Sequence, residues 1–230
     1  MNLFRPYDHL FFDLDNTLWD YEKNSKDSLY NIFKQLATGQ DFDEFFQYFV
    51  IVNNQLWEEY QNNKLKQKEV VVKRFEIVFD KFNIKADPEK INDLFLQILP
   101  TCSALKPHAI DVLQYLKSKS YHLHLITNGI KDIQMKKIEN SGLSPFFDKI
   151  FTSEEIGIPK PDKRIFRHAL TRTNARKVRS LMIGDSWESD IKGAHNVKMR
   201  SVFISWGKPV VQSHSSTIII DSLQNLKEIL

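Results

Sequence analysis

The sequence predicts an α/β fold, a doubly wound parallel sheet interrupted directly after its first strand by an all-helical insertion. Three observations predict it. A short apolar run over residues 9–15 ends in carboxylates. Residues 22–99 carry helical periodicity with little strand signal. Beyond Pro107, β-branched and apolar runs alternate with helical ones, which implies parallel strands covered by helices on both faces.

Taken in order, His-Leu-Phe-Phe-Asp-Leu-Asp (9–15) reads as a buried strand opening into a polar loop. Ser28, Leu29, Ile32, Phe33 and Leu36 form one helical stripe, and Phe45, Phe46, Phe49, Val50, Val52, Leu56 and Tyr60 a longer second one. Residues 70–82 and 88–99 supply two more helices, the last with Asp87 as N-cap and Pro88 in its first turn. Four amphipathic helices in succession can pack as a small bundle. Strands are expected at 121–126, 149–152, 179–183, 201–204 and 217–220, with helices at 108–119, 130–141, 161–173 and 189–196. Residues 1–15 and 103–230 would then form the α/β core, and 16–102 a helical insertion serving as a lid. Ligands of such sheets bind where strands end in loops.

The bulk numbers exclude several classes. The chain has 230 residues, 42% hydrophobic and 27% charged, enough for a full core. A net charge of +3 left from 32 basic and 29 acidic groups gives no general pull toward nucleic acid or membrane. The run Lys64-Leu65-Lys66-Gln67-Lys68 reads as a solvated loop. Cys102 is the lone cysteine, which rules out an internal disulfide. The N-terminus lacks a signal-peptide pattern, and no apolar run approaches the roughly 18 residues of a membrane span. The expectation is a cytoplasmic monomer or homodimer that binds neither a nucleic acid polymer nor a membrane.

Polar residues recur at the C-terminal ends of the expected strands. Asp13-Leu14-Asp15-Asn16-Thr17 follows the first, and a period of two would send Asp13 and Asp15 to one side. Thr127-Asn128-Gly129 follows the second; taken alone it reads as a turn into a helix. Lys160 lies between Pro159 and Pro161, an unusual position for a merely solvated lysine. Gly184-Asp185-Ser186 ends another strand, with Asp190 five residues beyond Asp185. Together these groups suit one reaction. Hard oxygen ligands at Asp13 and Asp185 match Mg²⁺, which offsets repulsion between a carboxylate nucleophile and a phosphate dianion. Lys160, Thr127 and backbone N–H groups around Asn128 can hold phosphate oxygens, and Asp15 can serve as general acid and base. The expected substrate is a small phosphorylated metabolite.

Phe12-Asp13-Leu14-Asp15-Asn16-Thr17-Leu18, Thr127-Asn128, Lys160-Pro161 and Gly184-Asp185-Ser186 with Asp190 resemble the four ordered motifs of the haloacid dehalogenase-like hydrolase superfamily. The resemblance implies a Rossmann-like core with a helical C1-type cap. It implies Asp13 as nucleophile, Asp15 as acid/base, and Thr127 and Lys160 as phosphate binders. Mg²⁺ would be held by Asp13, Asp185 and the backbone carbonyl of Asp15, with Asp190 as ligand or support. Residues 13–25 and 153–162 are similar to the pyrimidine 5′-nucleotidase branch, which implies a nucleoside 5′-monophosphate substrate.

Three rivals remain open: a phosphosugar mutase (or a phosphatase of sugar phosphates or phosphoglycolate), a carbon–halogen hydrolase and a silent binding protein. A carbon–halogen hydrolase would leave Asp15 and Asp185 without a task. Other residues divide between a site role and packing. Trp19 and Tyr21 could stack on a base or pack a hinge, and Asn24 could touch substrate or cap the first inserted helix. Trp57 reads as packing, as do His122 and His124, which lack a third ligand. Trp187 could line a rim, and Trp206-Gly207 reads as a strand end and turn.

Overall fold

A computed structural model describes residues 6–36 and 39–230. Residues 1–5 of the expected core, and Ala37 and Thr38 in the insertion, lie outside the described residues. The strands are β1 (His9–Phe12), β2 (His122–Thr127), β3 (Lys149–Thr152), β4 (Ser180–Gly184), β5 (Arg200–Ile204) and β6 (Thr217–Ile220). All pair in parallel, in the order β3-β2-β1-β4-β5-β6. Every central strand is buried along most of its length, as a sheet covered on both faces requires. The order runs outward from β1 in both directions, so the topological switch falls at β1, and the crevice beyond its C-terminal end is where such sheets bind ligands.

β1 is shorter than the expected strand over 9–15. The Leu14 carbonyl accepts from both Leu18 and Trp19 N–H groups, which curls the chain off the ladder. Strand periodicity therefore does not govern Asp13 and Asp15. The expected helix at 189–196 is a π-helical turn over Trp187–Ile191 followed by a short α-helix, Lys192–Asn196. One-turn helices at Ser153–Ile156 and Leu226–Ile229 carried too few residues to show a period.

The contacts divide the chain into two compact units. The α/β unit comprises Met1–Asp20, Leu105–Lys131 and Ser141–Leu230; the helical unit comprises Tyr21–Ala104 and Asp132–Asn140. The helical unit contains α1 (Tyr21–Leu36), α2 (Phe42–Gln61), α3 (Gln67–Phe82) and α4 (Pro88–Ile98), plus nearly all of α6 (Lys131–Asn140), which follows α5 (Ala109–Ser118). Helix starts follow local chemistry. Asp41 accepts from Glu44 N–H at α2, Glu69 reaches back to Lys66 N–H at α3, and Asp87 accepts from Glu89 and Lys90 N–H at α4. The basic run 64–68 thus ends inside the first turn of α3 rather than staying wholly in a loop.

The helical core is aromatic: Phe49, Phe75 and Phe95 lie with ring centroids 5.6–5.9 Å apart. Between them lies the guanidinium of Arg74, 4.9 Å from the Phe95 ring and bonded to Asn53, Asn92 and Tyr21. Asn24 neither caps α1 nor waits for a ligand. Its amide spans Ala104, donating to the carbonyl at 2.8 Å and accepting from the N–H at 3.0 Å. Trp57 packs edge-on against Tyr60.

Candidate active site

The expected site residues lie at strand ends of the α/β unit or in the segments that follow them. Asp13 extends the ladder by one bond, its N–H donating to Ile183, which carries its carboxylate to the head of β1 beside β4. Two residues past Ile183, Asp185 leaves the end of β4. The Thr17 hydroxyl ties the two loops together, donating to the Asp185 carboxylate at 2.8 Å and accepting from the Asp185 N–H at 3.1 Å.

The π-helical turn shapes the fourth element. Both Asp190 and Ile191 N–H groups reach the Ser186 carbonyl, and the extra residue in the turn brings Asp190 inward. Its carboxylate accepts from the Ser186 N–H at 3.1 Å and from the Ser189 hydroxyl at 3.3 Å. Gly184 is required here, because a Cβ at that position would overlap the Asp190 carboxylate.

Lys160 is held by its backbone. The Asn128 side chain accepts from Lys160 N–H at 2.8 Å and donates to its carbonyl at 3.0 Å. Asn128 therefore sets Lys160, a more specific task than its Asn-Gly sequence suggested. The Lys160 ammonium, 2% exposed, lies 2.5 Å from Asp13 Oδ1 and 2.7 Å from Asp190 Oδ1. Thr127 is buried at the end of β2, and its hydroxyl accepts from Gly129 N–H.

Three carboxylates, Asp13, Asp185 and Asp190, offer oxygens that all lie within 4.8 Å of one another. Burial pushes the Asp13 carboxyl well above the usual carboxylate range; Lys160 opposes this, while Asp190 and Asp185 add to it. Burial and the Asp190 charge raise Asp185 to about 7. Burial alone would lower the Lys160 ammonium, but Asp13 and Asp190 outweigh it and hold the group above its ordinary value. Three acids against one ammonium form a cluster that is short of positive charge in a buried place. The donor set fits a hard divalent cation.

The Asp15 side chain is not part of this carboxylate cluster; it is half-buried in the loop after β1. Of the residues weighed earlier, Trp19 is fully buried and bridges to Asp15 and Leu105, so it packs the α/β unit rather than presenting a face to a base. His122 and His124 stack with His9 toward the N-terminal ends of β1 and β2, away from the strand ends that carry the site. Trp187 packs edge-on against Phe203. Sequence reasoning gave no role to Thr17, Gly184 or Ser189. Thr17 alone carried a signal, as a hydroxyl four residues beyond Asp13 in a polar loop.

Residues 10–204 match the model of the family described as haloacid dehalogenase-like hydrolase. The chain belongs to that family. It is 29% identical over 227 residues to pyrimidine 5′-nucleotidase YjjG of Escherichia coli, covering 97% of this chain and 98% of that protein. It is 31% identical over 199 residues to pyrimidine 5′-nucleotidase PynA of Streptococcus pneumoniae, covering 86% and 83%. A crystal structure of Bacillus subtilis YfnB bound to magnesium superposes with a TM-score of 0.91 at 27% identity, over 98% of this chain and 99% of that one. The family and its phosphatase and nucleotidase relatives make this chain a hydrolase of the phosphatase kind.

Proposed function

We propose that this haloacid dehalogenase-like hydrolase is a Mg²⁺-dependent phosphomonoester hydrolase that works through an aspartyl-phosphate on Asp13. The observation that carries the reading is the Asp13 carboxylate held 2.5 Å from the buried Lys160 ammonium, amid two further carboxylates. Asp13, Asp185, Asp190 and the Asp15 backbone carbonyl would hold the cation, which supplies positive charge against the repulsion between carboxylate and phosphate dianion. Lys160 and the Thr127 hydroxyl bind phosphoryl oxygens. An Asp13 oxygen bonds to phosphorus as the ester oxygen departs, and Asp15 gives that oxygen its proton. Asp15 then takes a proton from water, the water oxygen bonds to phosphorus, and the Asp13–phosphorus bond breaks to release inorganic phosphate.

The substrate class we infer is a nucleoside 5′-monophosphate, supported by the two nucleotidase relatives. The inserted helices would select the substrate while the α/β unit performs the chemistry. A cytoplasmic monomer or homodimer completes the reading; among the described residues, no helix is long and apolar enough to cross a membrane. Phosphate release should be screened over nucleoside monophosphates, sugar phosphates and phosphoglycolate with Mg²⁺ present. Asp13→Asn should reduce turnover to background and remove the acid-stable phosphoryl adduct from its peptide. Wild-type turnover in that variant overturns the nucleophile, and return of the phosphoryl group to substrate would make the protein a mutase.

A further inference from the structure

The strongest unassigned feature is a clamp on the loop that follows Asp15. Trp206, just beyond β5, has φ 53°, a left-handed backbone that is costly for a bulky side chain and marks a functional constraint more often than chance. Its indole N–H donates to the Asn16 carbonyl at 2.9 Å. Asn16 is itself left-handed, with φ 61°. Two such residues joined by one hydrogen bond leave neither side free to relax alone.

Lys106 completes the clamp. Its ammonium lies 4.7 Å from the Trp206 ring centroid and 3.7 Å from the Asp20 carboxylate, while its backbone N–H donates to Leu18 at 2.8 Å. On the far side, Ser205 anchors Trp206 to the sheet: its N–H donates to Ile220 at 2.8 Å and its hydroxyl to Asp221 at 2.6 Å. Trp206 and Lys106 thereby hold residues 16–20 at three points in addition to the Thr17–Asp185 tie, and of these three the indole contact at Asn16 is nearest Asp15.

We propose that Trp206 is a positioning residue for Asp15, fixing the Asn16 carbonyl so that the neighbouring carboxyl is set for proton transfer to the leaving oxygen. This rests on the acid/base reading of Asp15. Proton donation matters for a poor leaving group and little for a good one, so the clamp has a signature that general loosening would lack.

The test compares phenyl phosphate with p-nitrophenyl phosphate in pre-steady-state phosphoenzyme formation, with Mg²⁺ present. Trp206→Phe keeps a ring under Lys106 and removes the N–H. It should slow the phenyl ester about tenfold and the nitrophenyl ester by less than about twofold, with KM unchanged. Lys106→Met, which leaves the indole in place, should show the same selectivity at smaller size. Equal slowing of both esters, or of neither, in both variants overturns the proposal. Asp15→Asn is the control: if it fails to slow the phenyl ester, or if the wild type forms no phosphoenzyme from either, the acid/base reading itself falls. If Asp15→Asn slows it and Trp206→Phe does not, only the clamp falls.

Discussion

At the scale of single residues, the site depends on small groups that leave room for charged ones. Gly184 is the clearest instance, since its missing Cβ is the space that the Asp190 carboxylate fills. Gly184→Ala should displace Asp190 from Lys160, lower turnover at least about tenfold and raise the Mg²⁺ concentration needed for half-activation. An unchanged Mg²⁺ activation curve would contradict that role. The charged members were legible in the sequence because each stands at a strand end with chemistry that a loop seldom needs. The pairings that support them were not. The Asn128 amide across Lys160, the Thr17 hydroxyl on Asp185 and the Trp206 indole on Asn16 join residues from 32 to 190 positions apart. No periodicity reports pairings at such separation.

At the scale of elements, buried polar groups decide how particular helices and strands tolerate change. Among the described residues, Arg74 on α3 bonds to neutral partners, and Asn53 and Asn92 turn their carbonyl oxygens to it from α2 and α4. Arg74→Met would remove the guanidinium donors from both amide oxygens, leaving Asn53 only its longer bond from the Tyr21 hydroxyl, and should cost on the order of 2–4 kcal/mol in denaturant unfolding. A loss within experimental error would show that the two amides find other partners. On β2, burial and then the adjacent His9 push the His124 imidazole from 6.5 down to about 4. The unfolded chain therefore takes up a proton first as the medium is acidified. His124 contributes stability above pH 6.5 that drains away as pH falls toward about 4. His124→Leu should flatten the stability–pH curve in that window, and an unaltered slope would refute the assignment. The helices and strands were largely visible beforehand because stripes such as Ile32, Phe33 and Leu36 repeat with the helical turn. Element ends were less so: Asp13 lies beyond its strand because Leu14 accepts two turn bonds, a feature without sequence signature.

At the scale of the whole molecule, the proposed function has the carboxylate cluster link folding to cation binding. A cation that binds only the folded chain stabilises it by about 2.7 kcal/mol at a hundredfold excess over its dissociation constant. Mg²⁺ should therefore raise the thermal midpoint of the wild type and do so much less in Asp185→Asn; identical shifts would remove Asp185 from the ligand set. The two-unit plan has a further consequence for fragment design. The backbone passes between units after Asp20, Ala104, Lys131 and Asn140, so the helical unit is stitched in twice. Splicing residue 20 directly to 105 would delete four helices yet leave α6 behind as an orphan. Lys137, now buried on that helix with its ammonium 5.3 Å from the Tyr21 ring, would lose that partner, and α6 would keep a face fitted to helices no longer present.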